Sequence, residues 1–240
     1  MIGKKNVTEI DQRSDLSFTF THIFRCLLVG PSSSGKSTLL LKIFKDMVNF
    51  LPQKYSLIVY CYPSGGMTEI RKQYVDELQK YVPDIEMHEG LPSNEDIMNA
   101  EGLKLLIIDD LYYEAVNSFD FMNFCIHGSH MSNTSFFMTC QNLYINSKYK
   151  STIIRQITDF IIYPFVGDHL MLSHLSKQLT GDSKFLPRCM EWLKDNFKDP
   201  YKRIIWLNLN VANKTMPDQF RIRSNFLSSP IIAFQKVKPV

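Results

Sequence analysis

The sequence lacks the features of membrane, secreted and repeat proteins. No apolar run approaches the roughly 20 residues that a membrane-spanning helix needs, so we expect no membrane span. The N-terminus leads into a polar segment without the apolar stretch of a signal peptide, so we expect the protein not to be secreted. There is no internal repeat and no low-complexity tract, which excludes a repeat array.

The sequence also has little net charge and no paired cysteines. A net charge of +3 permits contact with nucleic acid but does not argue for it. His127 and His130 have no cysteine or acid at ligand spacing, which argues against a zinc site. We expect reduced, buried thiols rather than a disulfide framework, because no Cys-x-x-Cys pair occurs among Cys26, Cys61, Cys125, Cys140 and Cys189.

One segment near the N-terminus has the pattern of a phosphate-binding loop. The pattern G-x-x-x-x-G-K-S is informative only between a strand and a helix. The apolar run 23–29 precedes it, and apolar residues at helical spacing follow it. This context argues against a chance match in a glycine-serine turn. The predicted loop comprises Gly30, Pro31, Ser32, Ser33, Ser34, Gly35, Lys36, Ser37 and Thr38.

The residue types of this loop suit ATP with Mg²⁺. Gly30 and Gly35 allow the backbone to bend so that successive N–H groups face a phosphate. The helix that follows adds its positive N-terminal end. We expect Lys36 to reach the β- and γ-phosphates and the Ser37 hydroxyl to bind Mg²⁺.

Two acids follow a second apolar run, 103–108. A buried parallel strand delivers the residues at its carboxyl end to the crevice where a nucleotide binds. We assign Asp109 to Mg²⁺, through water, and Asp110 to polarising the attacking water. The alternative is an acid pair that caps the next helix, since Asp is a favoured cap residue.

Gln141 follows another predicted strand, 134–140. If that strand lies between the first and third strands, Gln141 lies beside the γ-phosphate, where it would orient water or sense that phosphate. The alternative is an ordinary polar loop residue. A basic cluster of Lys148, Lys150 and Arg155 precedes the next strand, and by itself it indicates only a solvated face.

Alternating strands and helices predict an α/β fold: a P-loop NTPase of the ASCE type, with a central, mostly parallel sheet flanked by helices and additional C-terminal strands. We interpret residues 1–20 as an arm or edge element and 21–240 as a single P-loop ATPase domain. Met67, Ile70, Tyr74, Leu78 and Tyr81 recur at helical spacing. Further strands are predicted at 56–61, 160–163 and 203–209, and the last of these is expected to pair with 220–223. Helices are predicted at 94–100, 119–126, 168–179 and 187–197. Ser93 and Asp168 are the predicted caps of the first and third of these helices, and Pro187 lies in the first turn of the last.

With these motifs in this order, residues 20–225 resemble the viral genome-packaging ATPases of the FtsK–HerA superfamily, in particular the poxvirus-like ATPases of large DNA viruses, virophages and Polinton-type elements. That family has a G-R-H segment, a strand ending in T-Q, and a later Arg; Gly128-Ser129-His130, Thr139-Cys140-Gln141 and Arg155 match these places. Two departures are visible. Ser129 replaces the Arg of G-R-H, and Cys140 interrupts T-Q, so Gln141 matches with a shift of one residue.

The resemblance implies an ATP-hydrolysing motor that translocates double-stranded DNA into a viral capsid. It implies catalytic roles for Lys36, Asp110, Gln141 and Arg155, with Arg155 reaching into the site of a neighbouring subunit. The implied partners are double-stranded DNA, a capsid or portal-like vertex protein, and further copies of the chain in a homo-oligomeric ring. The implied location is the host cytoplasm, a viral factory or the virion.

Two other functions are weighed against the motor. A GTPase would carry Asn-Lys-x-Asp, but the segment 213–216 ends in Met216. A P-loop kinase, or another nucleotide-dependent enzyme that does not act on DNA, stays open, although the segment 143–158 is a poor Arg-rich lid. A nucleotide-regulated adaptor without hydrolysis would be indicated by loss of Lys36 or Asp110, and both are present.

Overall fold

The computed structural model describes residues 8–13, 19–145, 158–163, 169–209, 222–224 and 231–236. The chain divides into two compact units, one of residues 18–161 and one of residues 1–17 with 162–240. Within the described ranges, no helix has both the length and the apolar character needed to cross a membrane. The sequence-based division into an arm, 1–20, and a single domain, 21–240, stays a prediction.

Strands and helices alternate along much of the described chain. The strands are β1 (Thr8–Arg13), β2 (Arg25–Val29), β3 (Leu57–Tyr62), β4 (Glu86–Glu89), β5 (Lys104–Ile108), β6 (Thr134–Cys140), β7 (Phe160–Tyr163), β8 (Ile205–Asn208), β9 (Ile222–Ser224) and β10 (Ile231–Lys236). The α-helices are α1 (Lys36–Lys45), α2 (Met47–Phe50), α3 (Glu69–Gln79), α4 (Asn94–Asn99), α5 (Tyr112–Asn117), α6 (Phe119–Asn123), α7 (Ser129–Met131), α8 (His169–Thr180) and α9 (Phe185–Asn196).

The unit of residues 18–161 contains a parallel sheet. Its strands lie in the order β2-β6-β5-β3-β4, and each neighbouring pair is parallel. Strand β6 thus lies between β2, which precedes the phosphate loop, and β5, which precedes the acid pair. This order confirms the predicted ASCE arrangement, and it brings the carboxyl ends of the three strands to one edge of the sheet.

The core of this unit lies against the inner strands β2, β3, β5 and β6, which carry mostly apolar side chains. Every residue of β5 and β6 is buried, as expected for a parallel sheet covered on both faces. Beneath β2 and β6, the rings of Phe24 and Phe137 have centroids 5.0 Å apart. Phe20 packs on both, at 4.6 and 4.9 Å. Burying such side chains contributes about 1.5–3 kcal/mol each and fixes the strands in register.

Serine and threonine side chains cap the N-termini of several described helices. The Ser93 hydroxyl accepts from Asp96 N–H at 3.2 Å, so the predicted cap of α4 is confirmed. Thr68 caps α3 in the same way. The predicted helix 119–126 is divided: α6 ends at Asn123, and a π-helical turn, Phe124–Gly128, follows. The sequence did not predict β4 or α5.

The unit of residues 1–17 and 162–240 contains an antiparallel sheet. Strand β1 pairs with β10, β10 with β9, and β9 with β8. Trp206 is opposite Arg223 in the last pair, which confirms the predicted C-terminal strands and their pairing. Helix α9 begins at Phe185, so Pro187 lies in its first turn as predicted. The predicted cap Asp168 lies outside the described residues.

A buried ion pair joins β2 to the segment before β7. The Asp159 carboxylate accepts from Arg25 Nε at 3.0 Å and from Arg25 Nη2 at 3.2 Å. It also accepts from the Arg25 backbone N–H at 2.9 Å. The two side chains are only 11% and 6% exposed. A charge buried to this degree needs a partner, because little water reaches it.

We expect Asp159→Asn to lower the free energy of unfolding by about 3–5 kcal/mol, because Arg25 stays buried without its counter-charge. The measurement is urea-induced unfolding, with midpoints compared at an unchanged m value. Glu77→Gln is the control. It breaks the exposed ion pair with Lys80 and should leave the midpoint nearly unchanged. Equal midpoint shifts for the two variants would contradict a structural role for the buried pair.

Candidate active site

The predicted phosphate loop connects β2 to α1 at the carboxyl edge of the parallel sheet. Gly30 N–H donates to the Cys140 carbonyl at 3.0 Å, which ties the start of the loop to the end of β6. Gly35 has φ = 88°, a conformation that favours glycine, and it is the cap residue of α1. The chain therefore turns sharply into the helix, as the motif requires.

Lys36 folds back over the loop. Its Nζ donates to the carbonyl oxygens of Gly30 at 2.7 Å and Pro31 at 2.9 Å. Only 8% of the residue is exposed. Burial lowers the pKa of the Lys36 ammonium, and the nearby charges of Asp110 and Asp109 oppose that shift. The ammonium is thus held beside the acid pair by groups of its own loop.

Several polar groups of the loop have no hydrogen-bond partner among the residues that the structure describes. The N-terminus of α1 has no side-chain cap and no acid in its first turn, so its first N–H groups are open to an anion. Ser34 Oγ is buried without a hydrogen-bond partner. The Ser37 hydroxyl makes no hydrogen bond to any residue that the structure describes. These groups are positioned to bind phosphate oxygens and a metal ion.

Asp109 follows β5 and accepts two hydrogen bonds. Tyr60 Oη donates to Asp109 Oδ2 at 2.6 Å, and Thr139 Oγ1 donates to Asp109 Oδ1 at 2.8 Å. Tyr60 is in register with Ile107, and Met138 with Ile108. Residues paired in register lie on the same face of a sheet, and so do residues two apart along one strand. The side chains of Tyr60, Asp109 and Thr139 therefore lie on one face of the sheet. The Asp109 carboxylate is therefore oriented by both neighbouring strands.

Asp110 is held in a different environment. Its φ of 56° is unusual for a residue other than glycine, and its backbone N–H donates to Thr139 Oγ1 at 2.9 Å. The side chain is 41% exposed. Burial and the charge of Asp109 raise the pKa of Asp110. The charges of Lys36 and Arg71 and the nearby Gln141 side chain lower this pKa, but by less. A carboxylate with a raised pKa is a better proton acceptor.

Gln141 lies at the end of β6, where the sequence predicted it. It is exposed, and its side chain lies near Asp110, where it lowers the pKa of that carboxyl. The structure therefore brings Lys36, Asp109, Asp110 and Gln141 together at one edge. Arg155, Lys148 and Lys150 lie outside the described residues.

The position of the G-R-H departure is also clear. Ser129 is fully buried, and its hydroxyl donates to the Cys125 carbonyl at 3.1 Å. Arg25 Nη1 donates to the same carbonyl oxygen at 3.3 Å. A guanidinium is thus present at this π-helical turn, supplied by β2 instead of by residue 129.

Three residues of the site were not predicted from the sequence. Tyr60 and Thr139 orient Asp109, and Arg71 of α3 lies beside both acids. Arg71 Nε is 3.8 Å from Asp109 Oδ2, and Arg71 Nη2 is 3.7 Å from Asp110 Oδ2. Tyr60 and Thr139 could have been found from the sequence, because each carries a hydroxyl near the carboxyl end of a mostly apolar strand.

The chain is similar to several proteins of known structure. The structure matches the genome packaging NTPase B204 from Sulfolobus turreted icosahedral virus 2 in complex with ATP-gammaS, with a TM-score of 0.51 and 18% sequence identity over 80% of this chain and 94% of that chain. The AMP complex of B204 matches with a TM-score of 0.47 and 18% identity over 80% and 95% of the two chains. The N-terminal domain of zonular occludens toxin from Neisseria meningitidis matches with a TM-score of 0.39 and 15% identity over 60% and 77%.

At such identities, the B204 match supports the P-loop NTPase fold alone. A comparison with curated proteins found no match. A family described as "Poxvirus A32 protein" matches residues 12–216. Because that match covers most of the 240-residue chain, the protein belongs to the poxvirus A32 family.

Proposed function

We propose that this protein is an ATP-hydrolysing motor that translocates double-stranded DNA into a viral capsid. The observation that carries the proposal is the convergence of Lys36, Asp109, Asp110 and Gln141 at one sheet edge. Membership of the poxvirus A32 family and a fold shared with a genome packaging NTPase direct the proposal towards packaging.

In this proposal the loop of residues 30–38 binds the phosphates of ATP. The backbone N–H groups at the start of α1 and the Ser34 hydroxyl donate to phosphate oxygens. Lys36 exchanges its loop carbonyls for the β- and γ-phosphates. This exchange replaces two neutral acceptors with charged ones, which favours the bound state.

Ser37 and Asp109 would hold Mg²⁺. Both supply oxygen donors, which this hard cation prefers, and the Asp109 carboxylate is already oriented by Tyr60 and Thr139. Among the described residues, no group of three or more His, Cys, Asp or Glu side chains forms a metal cage. This fits an ion that takes few protein ligands and completes its shell with phosphates and water. When bound, Mg²⁺ would neutralise charge on the β- and γ-phosphates.

Asp110 accepts a proton from the attacking water. It is the more exposed of the two acids, and the backbone hydrogen bond to Thr139 fixes its position. Gln141, which lies near Asp110, orients the same water or senses the γ-phosphate.

Arg155 completes the proposed catalytic set from a neighbouring subunit of a homo-oligomeric ring. A guanidinium supplied across a subunit boundary stabilises charge on the transferring phosphoryl group. The alternative for Arg155 is a surface residue paired with a nearby acid such as Asp159, since exposed ion pairs are common. If Arg155 acts across the boundary, mixing inactive Lys36→Ala and Arg155→Ala proteins should restore some hydrolysis. Mixed rings without restored hydrolysis would contradict this role.

The proposed partners are double-stranded DNA and a capsid or portal-like vertex protein. A packaging motor must accept every base sequence, so we expect it to bind mainly the phosphate backbone. Its place of action would be where capsids assemble, in the host cytoplasm, a viral factory or the virion.

We expect double-stranded DNA to stimulate ATP hydrolysis by the purified chain, with equal effect from duplexes of different base composition. The logarithm of the DNA affinity should fall linearly with the logarithm of the salt concentration as counterions are released.

Lys36→Ala should abolish hydrolysis, because it removes the cation that binds the phosphates. Lys45→Ala, an exposed lysine at the end of the same helix, is the matched control and should keep the parent rate.

Two results would contradict this account. Hydrolysis that is indifferent to DNA but strongly stimulated by a small phosphate acceptor would favour a P-loop kinase. Strong preference for one DNA sequence at moderate salt would favour a regulator over a motor.

The two acids should give different phenotypes. Asp110→Asn should lower kcat about 10²–10⁴-fold while Mg²⁺-ATPγS still binds, because only the proton acceptor is lost. Asp109→Asn should weaken Mg²⁺-nucleotide binding, since an amide is a poor ligand for Mg²⁺. Titration calorimetry and a phosphate-release assay measure the two effects. The control is Glu114→Gln, an exposed acid in α5, and swapped phenotypes would mean that the two roles are reversed.

A further inference from the structure

Arg71 is a charged residue on the inward face of α3. Its side chain is 15% exposed, although the preceding Ile70 is 81% exposed. Val75 and Leu78, at helical spacing from Arg71, are buried. The first turn of α3 thus directs a guanidinium towards the acids and leaves an apolar side chain in solvent. This arrangement disfavours folding, which suggests that the guanidinium has a function.

The contacts of Arg71 are those of an unsatisfied donor. Its nitrogens lie 3.8 Å from Asp109 Oδ2 and 3.7 Å from Asp110 Oδ2, both beyond hydrogen-bond range. Its guanidinium makes no hydrogen bond within the part of the chain that the structure describes. Arg25, by contrast, makes hydrogen bonds of 3.0 and 3.2 Å to its acid. An arginine that only stabilised the packing of α3 on the sheet would make short hydrogen bonds to an acid, as Arg25 does to Asp159.

Asp109 does not require Arg71 as a donor. Each of its carboxylate oxygens already accepts a hydroxyl, from Tyr60 or Thr139. The guanidinium therefore has five N–H donors and two acids that are too distant to accept from it. A phosphate group offers several charged oxygens, and the planar guanidinium binds these well.

The neighbours of Arg71 indicate which phosphate it would meet. The charges of both Lys36 and Arg71 act on Asp110, so the loop lysine and α3 approach the same carboxylate. Lys36 extends from the phosphate loop towards the β- and γ-phosphates of a bound nucleotide. Since Asp110 is assigned to the attacking water, the phosphate nearest Asp110, and hence nearest Arg71, would be the terminal one.

We propose that Arg71 binds the γ-phosphate of a nucleoside triphosphate held by the phosphate loop of the same chain. Without nucleotide, the guanidinium lies between Asp109 and Asp110. With triphosphate bound, it donates to the γ-phosphate, and Asp110 Oδ2 is released to accept the proton of the attacking water. A diphosphate lacks this group, so Arg71 makes the site distinguish the two nucleotides. This inference rests on the nucleotide site of the proposed function.

The test compares the affinities of the full-length chain for Mg²⁺-ATPγS and Mg²⁺-ADP by titration calorimetry. Loss of a charge-assisted hydrogen bond costs about 10–100-fold in affinity. Arg71→Ala should therefore weaken ATPγS binding by about that factor and leave ADP binding within about twofold. Arg71→Lys should recover part of the loss. Lys72→Ala, the next residue and exposed to solvent, is the matched control and should change neither affinity.

Retained ADP binding also shows that the variant is folded. Equal weakening of both nucleotides would overturn the inference, since Arg71 would then support the fold or the loop. Unchanged ATPγS binding with faster hydrolysis would overturn it too, because Arg71 would only restrain Asp110. Failure of the parent chain to bind either nucleotide would remove the proposed function and this inference together, whereas the other two results would leave the proposed function intact.

Discussion

The hydroxyl of Thr139 joins the two acids to the strand beside them. It donates to the Asp109 carboxylate at 2.8 Å and accepts from the Asp110 N–H at 2.9 Å. One side chain of β6 thus orients the acid assigned to Mg²⁺ and stabilises the left-handed backbone of the acid assigned to water. A slip of one residue between β5 and β6 would turn Thr139 to the opposite face of the sheet. The site therefore depends on strand register.

The register is in turn set by burial. Strands β5 and β6 are buried along their whole length, and their pairing runs from Lys104 with Thr134 to Ile108 with Met138. A slipped register would expose apolar side chains and leave the hydroxyls and carboxylates without partners, which costs about 1–3 kcal/mol for each buried polar group. Apolar residues of the core thus determine where the polar residues of the site meet.

Much of this arrangement could be predicted from the sequence, because it follows local patterns. Strands β6 and β7 have the predicted bounds, and β6 lies between β2 and β5, which is the condition on which the predicted position of Gln141 depended. Ile70 shows where local patterns fail. The apolar spacing predicted an amphipathic helix, but Ile70 is exposed and Arg71 faces inward. Sequence spacing cannot reveal this, since the inward position of Arg71 depends on acids that follow a different strand.

The most direct test of the motor is displacement of a triplex-forming oligonucleotide from a long DNA duplex by the assembled protein. Movement along the duplex strips the third strand, whereas binding alone does not. The account predicts displacement that requires hydrolysable ATP, fails with ATPγS, and is lost in Lys36→Ala. Rapid DNA-stimulated hydrolysis with no displacement, by a protein that has assembled on the duplex, would contradict it.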